Sequence, residues 1–183
     1  MRIKTIALGQ GGGPTPVIND EVAGALYEAK KNKIRVLGLR NGIEGLLYAN
    51  VEGNIVDMSR IEPHEVRQGP GAILGSTRIK IDKGQDKKLI DVLKRNMKSF
   101  KIDSIAYFGG NDSSDVLSAL GTGVHGAKTV DNDLMESDHT PGYGSTSLFN
   151  SIAVKHAYMD VRSFGTFGNV MSKSGKIVDG VLL

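Results

Sequence analysis

The sequence predicts an α/β fold: a mainly parallel sheet flanked by helices. Short apolar runs rich in β-formers alternate with longer amphipathic stretches. Two of those runs stop abruptly at glycine clusters, as strands do where the chain turns into a helix. Apolar content of 39% with few aromatics gives enough material for one core of a soluble domain over 183 residues.

The first run is "IKTIAL" (3–8), followed by glycines at 9–13. "PTPVINDEVAGALYEAKKN" has helical spacing, with Val17, Val22, Ala25, Leu26 and Ala29 on one face. "IRVLGL" (34–39) is the second strand, "NGIEGLL" a loop or short helix, and "GNIVDMS" a weak strand or turn. "RQGPGAILGSTR" reads as a glycine-punctuated loop. In "DKKLIDVLKRNMKSF", Leu89, Ile90, Leu93 and Met97 make an amphipathic helix. "DSIAYF" is a strand cut off by Gly109-Gly110, and "SSDVLSAL" begins a helix that Ser113 or Ser114 is expected to cap. "SLFNSIAVKHAYMDVRS" is a further helix.

The bulk numbers exclude several classes. A net charge of +3 is too small to argue for nucleic acid or a membrane surface. The absence of cysteine rules out disulfides and thiolate chemistry. No apolar run approaches a membrane span, and the N-terminus enters a strand pattern directly, so a cytoplasmic location is expected. His64, His125, His139 and His156 lack metal-ligand spacing and read as structural.

Open α/β sheets bind ligands beyond the C-terminal ends of their strands. Two glycine turns belong there, and both suit phosphate. Glycine lets backbone approach a ligand closely, and the following helix offers unpaired N–H groups with a positive dipole end. The first turn holds Gly12 and Gly13; the second holds Gly110, Asn111, Asp112 and Ser113. Arg78 closes a glycine-rich loop, where a guanidinium is suited to bidentate phosphate contact. The third segment, "AKTVDNDLMESDHTPGYGS" (127–145), crowds four acids behind Lys128. Alone it reads as a solvated loop. If "KTVDND" is extended, Thr129, Asp131 and Asp133 point one way, Lys128 and Asn132 the other. A carboxylate there is placed to take a sugar hydroxyl's proton during phosphoryl transfer, and a lysine to neutralise phosphate oxygens.

Taken together, "GGGPTPVIN", "LGSTR", "GGNDS" and "KTVDNDL…SDHTPGYGS" resemble the phosphofructokinase family, in the family's order and over roughly residues 1–165. The resemblance implies a Rossmann-like N-terminal lobe and a glycolytic phosphotransferase that uses Mg²⁺. The donor would be pyrophosphate or ATP, and the acceptor the 1-hydroxyl of fructose 6-phosphate. It implies Asp131 as general base, Arg78 bridging the transferring phosphate, and Thr129 and Asp133 lining the sugar site. Gly12, Gly13, Gly110, Asn111 and Ser113 would hold the donor. Asn111 stands where many relatives keep a magnesium-binding Asp. ATP users have glycine at the place of Asp112 and a small residue at that of Lys128. A carboxylate at 112 would repel a nucleotide's α-phosphate by about 4 kcal/mol at ~4 Å and an effective dielectric of ~20. Asp112 and Lys128 therefore resemble the pyrophosphate-dependent branch.

Two departures from the family pattern stand out. The family's second lobe and its "MGR" segment have no counterpart, so a single domain over 1–183 is expected, with 166–183 a divergent or truncated tail. The chain is then either an enzyme or a non-catalytic phosphate-binding or regulatory module, working as a homo-oligomer or with a partner chain. Second, "GTGVHGA" between Leu120 and Lys128 is too short to finish a helix and add the usual strand, which takes about 5–6 residues. A missing strand or altered pairing is expected there.

Overall fold

A computed structural model describes residues 3–128 and 130–163, together with the backbone of two short strands at 170–171 and 177–178. The chain divides into two compact units, Met1–Pro141 and Gly142–Leu183.

The first unit is built on a five-stranded sheet. Its strands are β1 (Thr5–Gln10), β2 (Arg35–Leu39), β3 (Ile55–Asp57), β4 (Ser104–Gly109) and β5 (Val124–Ala127), in the order β3-β2-β1-β4-β5. All pairings are parallel except β2 with β3. The helices are α1 (Pro16–Lys31), α2 (Ile43–Leu47), α3 (Pro63–Gln68), α4 (Lys87–Ser99) and α5 (Asn111–Leu120).

Alternation along the strands feeds two cores, one on each face. Leu8, Val36 and Phe108 pack with Ile18, Val22 and Leu26 of α1 and Val66 of α3. Ala7, Leu37, Ile105 and Tyr107 pack with Leu46 of α2, Ile90 and Leu93 of α4, and Val116 and Leu120 of α5. The period-two strands and the 3.6-period helices thus meet as their sequence patterns require. From β1 the chain crosses to β2 on one side, while β4 pairs on the other. The strand order therefore reverses between β1 and β4, and a crevice opens beyond their C-terminal ends.

Three expectations need correction. The strand before Lys128 is present: α5 stops at Leu120, Gly121 adopts φ 71°, and β5 takes four residues in parallel register with β4. A left-handed glycine ends the helix within one residue, which leaves room for a short edge strand. The cap of α5 is Gly110, because the helix already begins at Asn111. The segment from Gly69 to Arg78 is a loop as expected, but Arg67 and Gln68 belong to α3.

The second unit contains α6 (Tyr143–Ser163) and the antiparallel pair β6 (Val170–Met171) and β7 (Ile177–Val178). The expectation for the tail falls partly outside the described residues.

Candidate active site

A cavity of about 560 Å³ lies beyond the ends of β1 and β4. Every candidate residue borders it except Thr129, which lies outside the described residues: Gly12, Gly13, Arg78, Gly110, Asn111, Asp112, Ser113, Lys128, Asp131 and Asp133. Four chain segments that are remote in sequence therefore meet at one mouth.

The first glycine turn is fixed from three directions. Gly11 N–H donates to Phe108 O (2.8 Å), and Gly12 N–H to Thr77 O (3.1 Å). Ser76 Oγ donates to Gly12 O (2.5 Å). Gly12 has φ 76°, a conformation that favours glycine. Beneath it, fully buried Gln10 donates to Ile18 O (3.1 Å) and Asn19 Oδ1 (3.0 Å) and accepts from Leu74 N–H (2.8 Å). Asn19 donates to Gly69 O (2.8 Å) and accepts from Ile73 N–H (2.9 Å). These two side-chain amides strap the Arg78-bearing loop to β1 and α1.

The second turn is held locally. Ser113 and Ser114 N–H both reach Gly110 O (3.0 and 3.3 Å). The Ser113 side chain is buried, packed where Gly11 and Gly109 leave no room for a Cβ. Lys128 N–H donates to Gly109 O (3.0 Å), tying the acidic segment to β4.

Lys128 is the buried cation of the site, only 5% exposed. Its Nζ donates to Gly13 O (2.5 Å). Burial pulls its pKa below the usual lysine value; the charges of Asp131 and Glu21 oppose this, and Arg78 adds to it. The expected alternation about an extended "KTVDND" does not hold. Val130 and Asp131 sit in a turn, Asn132 has φ 56°, and Lys128, Asp131 and Asp133 all border the same cavity. The turn rotates the carboxylates to the lysine's side. Asp112, in the first turn of α5, pairs with Lys80 (3.1 Å). Asn111 Nδ2 donates to Asp133 O (3.5 Å).

Several lining residues carry no motif signal. The Thr15 hydroxyl at the start of α1 is buried with no hydrogen-bond partner among the described residues. Tyr107 OH accepts from Ile43 N–H (3.0 Å), and burial pushes its pKa up to about 12. Tyr107 therefore stays a neutral phenol in the cavity wall. Lys80 and Ile79 also border the cavity. Only their position directly after Arg78 could have suggested them.

Among the described residues, no three His, Cys, Asp or Glu side chains converge to hold a metal. The oxygen donors at the cavity, Asn111 and Asp133 among them, fit Mg²⁺. That ion keeps several waters and binds through one or two protein oxygens plus substrate phosphates. No helix among the described residues is long and apolar enough to cross a membrane.

A doubly wound sheet with paired glycine turns and a carboxylate-lysine segment at its switch point defines a Rossmann-like α/β scaffold with a polar ligand cavity. The chain belongs to the phosphofructokinase family, whose model matches residues 5–167. It is 34% identical over 170 residues to a pyrophosphate–fructose 6-phosphate 1-phosphotransferase of Rhodospirillum rubrum, covering 85% of this chain and 40% of that one. It is 34% identical over 148 residues to an ATP-dependent 6-phosphofructokinase of Finegoldia magna, covering 77% of this chain and 44% of that one. Among solved structures, a pyrophosphate-dependent phosphofructokinase of Nitrosospira multiformis matches with a TM-score of 0.75 at 30% identity, covering 89% of this chain and 43% of that one. The chain thus spans well under half the length of these relatives.

Proposed function

We propose that the site binds pyrophosphate and transfers a phosphoryl group to the 1-hydroxyl of fructose 6-phosphate, as a cytoplasmic glycolytic phosphotransferase. The observation that supports this most strongly is the meeting of both glycine turns, Arg78, Lys128 and Asp131 at one cavity.

The glycine turns and the N-terminal ends of α1 and α5 receive the donor's phosphates. Lys128 and Arg78 neutralise its oxygens, with Arg78 on the phosphoryl group in transit. Asp131 takes the proton of the acceptor hydroxyl as the new P–O bond forms and the P–O–P bridge breaks, releasing phosphate. Asp133 lines the acceptor side, and Thr129 is assigned there by resemblance. Asp112 disfavours a nucleotide's α-phosphate by bulk and by charge, the latter reduced by its pair with Lys80. Mg²⁺, held by Asn111 and Asp133 together with donor oxygens, would offset the polyphosphate charge.

A second reading is a non-catalytic phosphate-binding or regulatory module. It draws on the same cavity residues, which receive phosphate in either case. One measurement separates the readings, and a second tests the donor assignment they share. In a coupled assay with pyrophosphate and fructose 6-phosphate, this chain alone gives feeble turnover at most; robust turnover refutes the regulatory reading. By calorimetry, the double change Asp112→Gly, Lys128→Gly weakens pyrophosphate binding at least tenfold, and an unchanged affinity discards the donor assignment.

A further inference from the structure

Glu21 has no part in the chemistry above, yet its charge acts on Lys128. It sits in α1 between buried Asn19 and buried Val22. Its carboxyl lies against β5: a Cβ on Gly126 would come 3.2 Å from Glu21 Oε1. Its Oε2 is buried with no hydrogen-bond partner among the described residues. A buried carboxyl oxygen without a partner is costly, and a fold that keeps one needs a reason.

The charge environment supplies one. Burial raises the Glu21 pKa to about 7, and the Lys128 charge partly offsets that rise. Lys128 is faced by Asp131 from its own segment, by Glu21 from α1, and by Arg78 from the loop after α3. On β5, His125 is turned away to Gly109 O (2.9 Å). Asp131 and Arg78 are exposed at the cavity mouth, whereas Glu21 lies against Gly126, two residues before Lys128 and so on the same side of that segment.

We propose that Glu21 is a proton-linked positioning residue for Lys128: its ionised carboxyl competes with an anionic ligand for the lysine's charge, and its neutral form releases the lysine to the anion. The inference rests on Lys128 being an anion-binding group. Binding of a phosphate ligand then draws one proton from solvent onto Glu21, and no bond other than that O–H is made.

The test uses inorganic pyrophosphate and the full 183-residue chain. Affinities of the wild type and Glu21→Gln are compared by calorimetry at pH 6 and pH 8. The ratio cancels the ligand's own ionisation. The two proteins bind nearly equally at pH 6, and the variant binds about tenfold tighter at pH 8, the cost of neutralising a carboxyl one unit above its pKa. A ratio that does not change with pH, or a weaker variant at pH 8, overturns the proposal. If neither protein binds pyrophosphate, the donor assignment fails, and the coupling is decided by the Lys128 side-chain carbon resonance. It shows an inflection near pH 7 in the wild type, and a flat titration overturns the coupling whether or not the variant folds.

Discussion

The two glycine turns look alike in sequence but are held in different ways. The β1–α1 turn is a junction, bonded to β4, to the loop that carries Arg78, and to Lys128. The β4–α5 turn is closed mainly by its own helix through Ser113 and Ser114. The difference teaches that the first turn aligns the cavity and the second only furnishes one wall. A change beneath the first should disturb remote segments; a change at the second should reach no further than the Gly11 carbonyl it abuts.

The sharpest way to break that contrast is Asn19→Ala. It removes one donor and one acceptor from a buried network, strands the Ile73 and Gly69 backbone groups, and takes one of its partners from the Gln10 amide. Unsatisfied buried groups cost roughly 1–3 kcal/mol each, so urea unfolding should show a loss of about 3 kcal/mol. Pyrophosphate affinity should fall too, because Arg78 is no longer strapped in place. A loss under about 1 kcal/mol would show that the strap is not what aligns the loop.

Gly109→Ala probes the second turn. The added methyl meets Ser113 Oγ and lies 2.8 Å from Gly11 O. Overpacking of this kind costs about 1–3 kcal/mol. Adding Ser113→Ala should restore only part of it, since the Gly11 carbonyl cannot withdraw. Full restoration in chemical denaturation would mean that the two turns do not press on each other.

The smallest effect belongs to Ser114→Ala. The hydroxyl donates to Asn111 O (2.8 Å) on the exposed side of α5. Losing it should change the melting free energy by less than about 0.5 kcal/mol. A larger loss would make the second turn as structurally demanding as the first.

Much of this was legible in the sequence. The β-rich runs and the apolar faces of α1 and α4 are written in their periodicity, and Ile90, Leu93 and Met97 are buried as their spacing requires. Glycine after a strand and before a helix located both turns. Other features were not legible, for identifiable reasons. α3 buries only Val66, so it leaves no periodic stripe. β5 is a four-residue edge strand with Val124 exposed, too short and too wet for an alternation signal. Asn132 reverses the backbone with a positive φ that no neighbouring residue announces. Glu21 looks like any acid on a surface helix until β5 is laid against it, and Gln10 looks like a polar residue ending a strand until the loop from Gly69 closes over it.

That closure has a consequence for isotope exchange with solvent. Amides in irregular segments ordinarily trade their protons within moments, because brief local openings expose them. The Ile73 and Leu74 amides are anchored to side chains of α1 and β1, so they can open only when the helix and strand themselves come apart. In deuterium oxide they should behave as though they belonged to the sheet, persisting long after the rest of their loop has been labelled.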